Sequence, residues 1–145
     1  MRTWRVASAD ATRALGAELA RELAPDGVLL LIGDLGAGKT VLAQGVGRGL
    51  GLGGCEIQSP TFTLLREHVG GAARLLHFDL YRLSPREVES AGFEELLLGP
   101  GVKVVEWAER LPFALPGALV LRIRVVGDEA REIEELAASP LARGD

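Results

Sequence analysis

Asparagine does not occur in this 145-residue chain; glutamine occurs twice, and methionine and cysteine once each. Each shortage closes something off. Without the paired donor and acceptor of an asparagine amide there is no N-K-x-D motif to read guanine, which argues against a GTP switch protein. The single cysteine, Cys55, excludes an intramolecular disulfide and fits a reducing compartment; among glycines it reads as a small residue rather than a reactive thiol. No apolar run approaches the ~20 residues of a membrane span. The start, Met1-Arg2-Thr3-Trp4-Arg5, lacks the apolar core of a signal peptide, so a cytoplasmic protein without membrane attachment is expected. A net charge of −4 argues against a surface that binds nucleic acid nonspecifically. Lysine is scarce as well: of 16 basic residues only Lys39 and Lys103 are lysines. Repeats, low-complexity tails and linkers are missing, and residues 1–145 are expected to form one domain.

Against that background residues 33–40 stand out. Gly33-Asp34-Leu35-Gly36-Ala37-Gly38-Lys39-Thr40 fits the phosphate-loop pattern G-x-x-x-x-G-K-[ST], in the flanks that the pattern requires. The apolar run at 28–32 predicts a buried strand, while Val41, Leu42, Val46 and Leu50 recur at helical spacing. Strand, glycine loop and helix start together aim backbone N–H groups and a helix N-terminus at a polyphosphate. Asp34, Leu35, Gly36, Ala37, Gly38, Lys39 and Thr40 are therefore the expected nucleotide-binding residues. Lys39, on a solvent-facing loop, would meet the β- and γ-phosphates as a point charge, and the Thr40 hydroxyl would coordinate Mg²⁺.

The rest of the chain supplies a scaffold. Ser8 or Asp10 can cap a first helix with Leu15, Leu19 and Leu23 along one face, ended by Pro25-Asp26-Gly27. The helix after the phosphate loop is expected to dissolve at Gly47, Gly49, Gly51, Gly53 and Gly54 into a flexible loop up to Ile57. Residues 61–67 and 74–79 predict an antiparallel hairpin around Val69-Gly70-Gly71-Ala72. Ser84-Pro85-Arg86-Glu87 opens a further helix, with Ser84 and Glu87 as a capping box. Residues 102–105 predict a second parallel strand ending at Glu106. Leu121, Ile123 and Val125, alternating with Arg122 and Arg124, predict a half-exposed strand, paired after a Gly127-Asp128 turn with residues 131–136. The fold class expected is a single-domain α/β P-loop NTPase: three α/β/α layers around a mixed sheet, parallel at its centre and antiparallel at its edges.

Binding a nucleotide is not yet chemistry; hydrolysis needs a metal-side acid and a group that orients the nucleophile. Glu106 and Asp79 both end apolar strands, where an open α/β sheet presents its ligands. Glu106 is the expected metal-side acid and Asp79 the group that orients or deprotonates water, although the two assignments can be exchanged. Lys39, Asp79 and Glu106 form the candidate catalytic set. The bland alternatives are a solvated glutamate and a turn-stabilising aspartate. Thr61, within Ser59-Pro60-Thr61-Phe62-Thr63, is the candidate γ-phosphate sensor, with an ordinary strand entry as the alternative. Arg82 supplies charge to the transition state or is an ion-paired surface arginine. His77, with the parity of Asp79, is read as packed against the core rather than catalytic. A small-molecule kinase would need a lid that the segment after Glu106 is too short to provide. A module that holds ATP without cleaving it would differ only in its acids.

The phosphate loop, Ser59–Thr63, His77-Phe78-Asp79-Leu80-Tyr81-Arg82-Leu83 and Glu106-Trp107 together resemble the TsaE (YjeE) family in order and spacing, from about Ser8 to Val126. The phosphate loop is common to many NTPases, whereas His77–Leu83 with Glu106-Trp107 is narrow to this family. Val41 departs from it, standing where many members carry a second threonine; Thr40 remains. The resemblance implies ATP and Mg²⁺ as cofactors, slow hydrolysis by the isolated chain, and docking on a TsaD–TsaB pair. That pair makes threonylcarbamoyladenosine in tRNA, which this chain would reach only through the complex. It also implies that Tyr81, Arg82 and Trp107 lie at or near the nucleotide or the partner contact, beside the switch role read for Thr61. The C-terminus matches loosely, leaving Arg131 as a candidate nucleotide contact.

Overall fold

Ser8 starts the first helix: its side chain accepts a hydrogen bond from the Ala11 N–H, capping α1 (Ala9–Leu23), whose Leu15, Leu19 and Leu23 are buried. The computed structural model describes residues 1–34, 36–52, 64–70 and 73–137. Leu35, Cys55, Thr61 with its Ser59–Thr63 segment, and the Gly71-Ala72 turn lie outside the described residues. Ahead of α1 lies β1 (Thr3–Val6), which the sequence analysis left unassigned. Then follow β2 (Val28–Gly33), α2 (Lys39–Gly49), β3 (Leu65–Gly70), β4 (Ala73–Asp79), α3 (Pro85–Ser90), α4 (Phe93–Leu97), β5 (Val102–Glu106), β6 (Leu119–Val125) and β7 (Arg131–Leu136). No helix among the described residues is long and apolar enough to cross a membrane.

The seven strands form one sheet in the order β1-β7-β6-β2-β5-β4-β3. β6, β2, β5 and β4 run parallel, while β3, β7 and β1 pair antiparallel at the two edges. The mixed sheet expected from sequence is therefore present. Alternation along the parallel strands divides the core. Leu29, Leu31, Leu75, Val102, Val104, Leu121 and Ile123 pack with α1 and α2. Leu30, Ile32, Leu76, Phe78, Val105 and Val120 pack with Val88 of α3 and Phe93 and Leu97 of α4. Three layers result. Ser84 and Glu87 form the expected capping box at α3, and Gly92 at φ 75° breaks that helix from α4.

One expectation fails at α2. The helix does not dissolve at Gly47; it continues through Gly49. Its glycines serve contact with α1 rather than flexibility. A Cβ on Gly45 would lie 2.1 Å from the Arg13 carbonyl oxygen, and one on Gly49 2.6 Å from that of Ala17. α1 reciprocates with Gly16, where a Cβ would meet the Leu42 carbonyl oxygen at 2.4 Å. The two helices thus touch backbone to backbone.

Candidate nucleotide site

Gly38 turns the chain into α2 with φ 103°, a left-handed conformation that favours glycine. The loop ahead of it closes through a hydrogen bond from the Ala37 N–H to the Asp34 carbonyl, 3.0 Å. Lys39 follows as the first residue of α2. It is 4% exposed, so the expectation of a solvent-facing lysine is corrected. Its Nζ donates to the Gly33 and Asp34 carbonyls at 2.5 and 2.8 Å and lies 4.2 Å from the centre of the Trp107 ring. Burial pushes the Lys39 ammonium below its ordinary 10.5, against the opposing pull of Glu109, Glu106, Asp79 and Asp34.

The acids arrive by strand register. Asp79 of β4 pairs with Glu106 of β5, and Glu106 in turn stands level with Leu31 of β2. Asp79 and Glu106 end their parallel strands, on the face that α2 covers. The Thr40 hydroxyl accordingly reaches both oxygens of Glu106, at 3.0 and 2.9 Å. Glu106 is 3% exposed, which removes the solvated-glutamate alternative. Asp79 is equally buried; its Oδ1 accepts from the Tyr81 N–H at 2.9 Å, so it does stabilise the turn that follows it. A cavity of about 310 Å³ opens between Gly36–Val41 and the side chains of Asp79, Tyr81, Glu106 and Trp107.

Trp107 leaves β5 in the left-handed region, φ 59°, a costly conformation for a bulky residue. The turn carries its ring over Lys39 and against Tyr81, whose ring centre is 4.8 Å away. Arg82 follows Tyr81 on the exposed turn before α3. Arg131, at the start of β7, donates from Nε to the Ala37 carbonyl at 2.8 Å, gripping the phosphate loop from the far side. Beside that grip Thr12, Val41, Glu129 and Arg131 line a cleft of about 40 Å³. A larger cavity, about 620 Å³, lies at the opposite ends of the parallel strands, among Pro25, Leu50, Arg74 and Val102. None of the described phosphate-loop residues lines it.

Two participants were not anticipated. His77 is fully buried, as expected, yet its Nε2 lies 2.5 Å from Glu106 Oε2. An ionised carboxylate only accepts hydrogen bonds, so Nε2 carries the hydrogen. Among the described residues Nδ1 has no polar partner, and a hydrogen there would be a buried, unsatisfied donor costing about 1–3 kcal/mol. The spacing of His77 and Asp79 was legible; their register against Glu106 was not. Glu109, on the 3-10 turn Ala108–Arg110, feels both Lys39 and Asp34, and burial raises its carboxyl above the ordinary 4.5. No motif marked it.

The donors gathered here suit a hard cation: a hydroxyl and a carboxylate, both oxygen. No cluster of three or more His, Cys, Asp or Glu able to hold a metal alone exists among the described residues, so an ion at Thr40 and Glu106 would share its coordination with phosphate oxygens or water.

Known proteins match this chain over most of its length. The family model described as "Threonylcarbamoyl adenosine biosynthesis protein TsaE" matches residues 6–133. The chain is 42% identical over 135 residues to the tRNA threonylcarbamoyladenosine biosynthesis protein TsaE of Nostoc sp. strain PCC 7120, covering 90% of this chain and 82% of the relative. With the TsaE protein of Bacillus subtilis strain 168 it shares 40% over 131 residues, again 90% and 82% of the two chains. The crystal structure of Bacillus subtilis YdiB superposes with a TM-score of 0.68 at 37% identity, covering 92% of this chain and 83% of that one. The chain therefore belongs to the TsaE family of tRNA threonylcarbamoyladenosine biosynthesis proteins.

Proposed function

We propose that this chain is a magnesium-dependent ATPase serving tRNA N6-threonylcarbamoyladenosine formation together with a TsaD–TsaB pair. The observation that best supports the catalytic half is the hydrogen bond from Thr40 to both oxygens of Glu106. A phosphate-loop hydroxyl joined to an acid from an adjacent parallel strand is the pair that holds magnesium in P-loop NTPases. The relatives' names support the pathway half.

In this reading the N–H groups of residues 36–40 and the start of α2 bind the phosphates. Lys39 exchanges its bonds to the Gly33 and Asp34 carbonyls for phosphate oxygens. Magnesium, when bound, would neutralise charge on the phosphates, and Thr40 and Glu106 would hold it. Asp79 orients the attacking water, or exchanges that role with Glu106. Arg131 keeps the loop in shape through the Ala37 carbonyl and borders the nucleotide. Tyr81 and Arg82, exposed beside the cavity, form with the half-buried Trp107 the surface a partner would read. Trp107 in that position couples the partner's contact to Lys39. Hydrolysis resets the complex between turnovers rather than forming the threonylcarbamoyl bond.

Reconstitution tests this reading. Multiple-turnover modification of tRNA by a TsaD–TsaB pair supplied with threonylcarbamoyl-adenylate should require this chain, and the Lys39→Ala variant should not support it. Equal turnover without the chain, or with Lys39→Ala, would overturn the proposal.

A further inference from the structure

His77 occupies a place that the fold otherwise gives to hydrocarbon. On the same face of β4 stands Leu75, and the register partner of His77 on β5 is Val104, both fully buried. An imidazole is put there at zero exposure; among the described residues one nitrogen has no partner and the other meets Glu106 Oε2 at 2.5 Å. Packing alone does not account for that choice, because an apolar side chain would fill the position without stranding Nδ1.

Glu106 supplies the reason. Its carboxylate is 3% exposed, at the wall of the cavity, and turns about three side-chain bonds. Thr40 offers one hydroxyl hydrogen, shared between both oxygens, which leaves the carboxylate plane free to rock. A second donor, anchored on a neighbouring strand and unable to move within the core, fixes that plane. Outer-shell partners of this kind orient metal-binding side chains, and their loss costs 10–100-fold in metal affinity or activity.

We propose that His77 is a positioning residue, which through its Nε2–H holds the Glu106 carboxylate in the orientation needed on the magnesium side of the nucleotide. The inference rests on the reading of Thr40 and Glu106 as the magnesium-side pair. His77 touches neither nucleotide nor ion; it acts through Glu106.

The test compares ADP binding by calorimetry, with and without Mg²⁺, in the full chain and in His77→Leu and His77→Gln. Glutamine places an amide N–H the same number of bonds from the backbone as Nε2. In His77→Leu the strengthening of ADP binding by Mg²⁺ should fall about tenfold or more, with magnesium-free affinity within about twofold of the parent. His77→Gln should recover most of the increment. A His77→Leu protein that keeps the full increment overturns the inference. So does a parallel loss of both affinities, or a glutamine variant no better than leucine. A parent chain that gains nothing from Mg²⁺ overturns the magnesium reading itself, and this inference with it. If His77→Leu does not fold, nitrogen-15 NMR of the parent decides. The chain has only two histidines, and the His77 Nε2–H resonance should move on Glu106→Gln substitution. A resonance unmoved by that change refutes the contact.

Discussion

Lys39 is pulled in two directions. It must be charged to meet phosphate, yet it lies buried beneath Trp107 and bonded to its own loop, and burial lowers its pKa from 10.5. Between the lowered value and 10.5 the folded chain binds fewer protons here than the unfolded chain does. The stability cost of burying this ammonium is thus full below the window and eases as pH rises through it. Phosphate affinity goes the opposite way, because the charge disappears over the same range. Calorimetric ATP affinity should begin to fall on the alkaline side before pH 10.5, and Lys39→Ala should lack that Lys39-dependent limb while binding at least about tenfold more weakly at neutral pH. Unchanged affinity in Lys39→Ala contradicts the assignment. Trp107 gives an independent readout. With Trp4→Phe as background it is the sole indole, 4.2 Å from the Lys39 ammonium, so Mg-ATP should change its fluorescence. A silent spectrum would detach the ring from the phosphates. The phosphate loop was legible residue by residue because the pattern is local. The burial of Lys39 and the bond from His77 to Glu106 were not, since both depend on strands brought together from distant parts of the chain.

At the scale of elements, the pairing of α1 with α2 makes a prediction whose sign is informative. Helix propensity favours alanine over glycine by about 1 kcal/mol, so propensity alone has Gly45→Ala stabilising. The 2.1 Å approach to the Arg13 backbone says otherwise. Forcing the helices apart should cost about 1–3 kcal/mol or more, seen as a lowered denaturation midpoint. A raised midpoint would mean that the helices separate freely. The same surface explains why the sequence misled: Gly47 and Gly49 have the composition of a loop, and only the partner helix reveals that Gly49, like Gly45, packs on α1. β1 was missed for a different reason. Its four residues are too few to establish alternation, and its partner β7 is at the other end of the chain. Capped or strongly patterned elements, by contrast, were readable: α1, α3, β2, β5 and the β6–β7 hairpin.

For the whole molecule, the phosphate loop joins a central strand to a central helix, so ligand binding should stabilise the entire fold rather than a local segment. Mg-ATP at about 100 times its Kd should add about 2.7 kcal/mol, moving the whole thermal transition upward without splitting it. A biphasic transition would show that the edge strands unfold independently of the site. The outer edge is laced with exposed pairs, Arg5 to Glu132 and Arg122 and Arg124 to Glu134. These should matter little: Glu134→Gln is expected to change stability by less than about 1 kcal/mol. The flush ending of β4 against β5 matters far more, and it makes the chain unequally tolerant of changes in its length. Losing one residue inside β5, such as Val105, would move the carboxylate of Glu106 one place back along the strand, level with Phe78 and on the opposite side of the sheet. A gene that lost a single codon there, still in frame and still encoding every acid, would be expected to yield a folded protein with its chemistry facing the wrong layer.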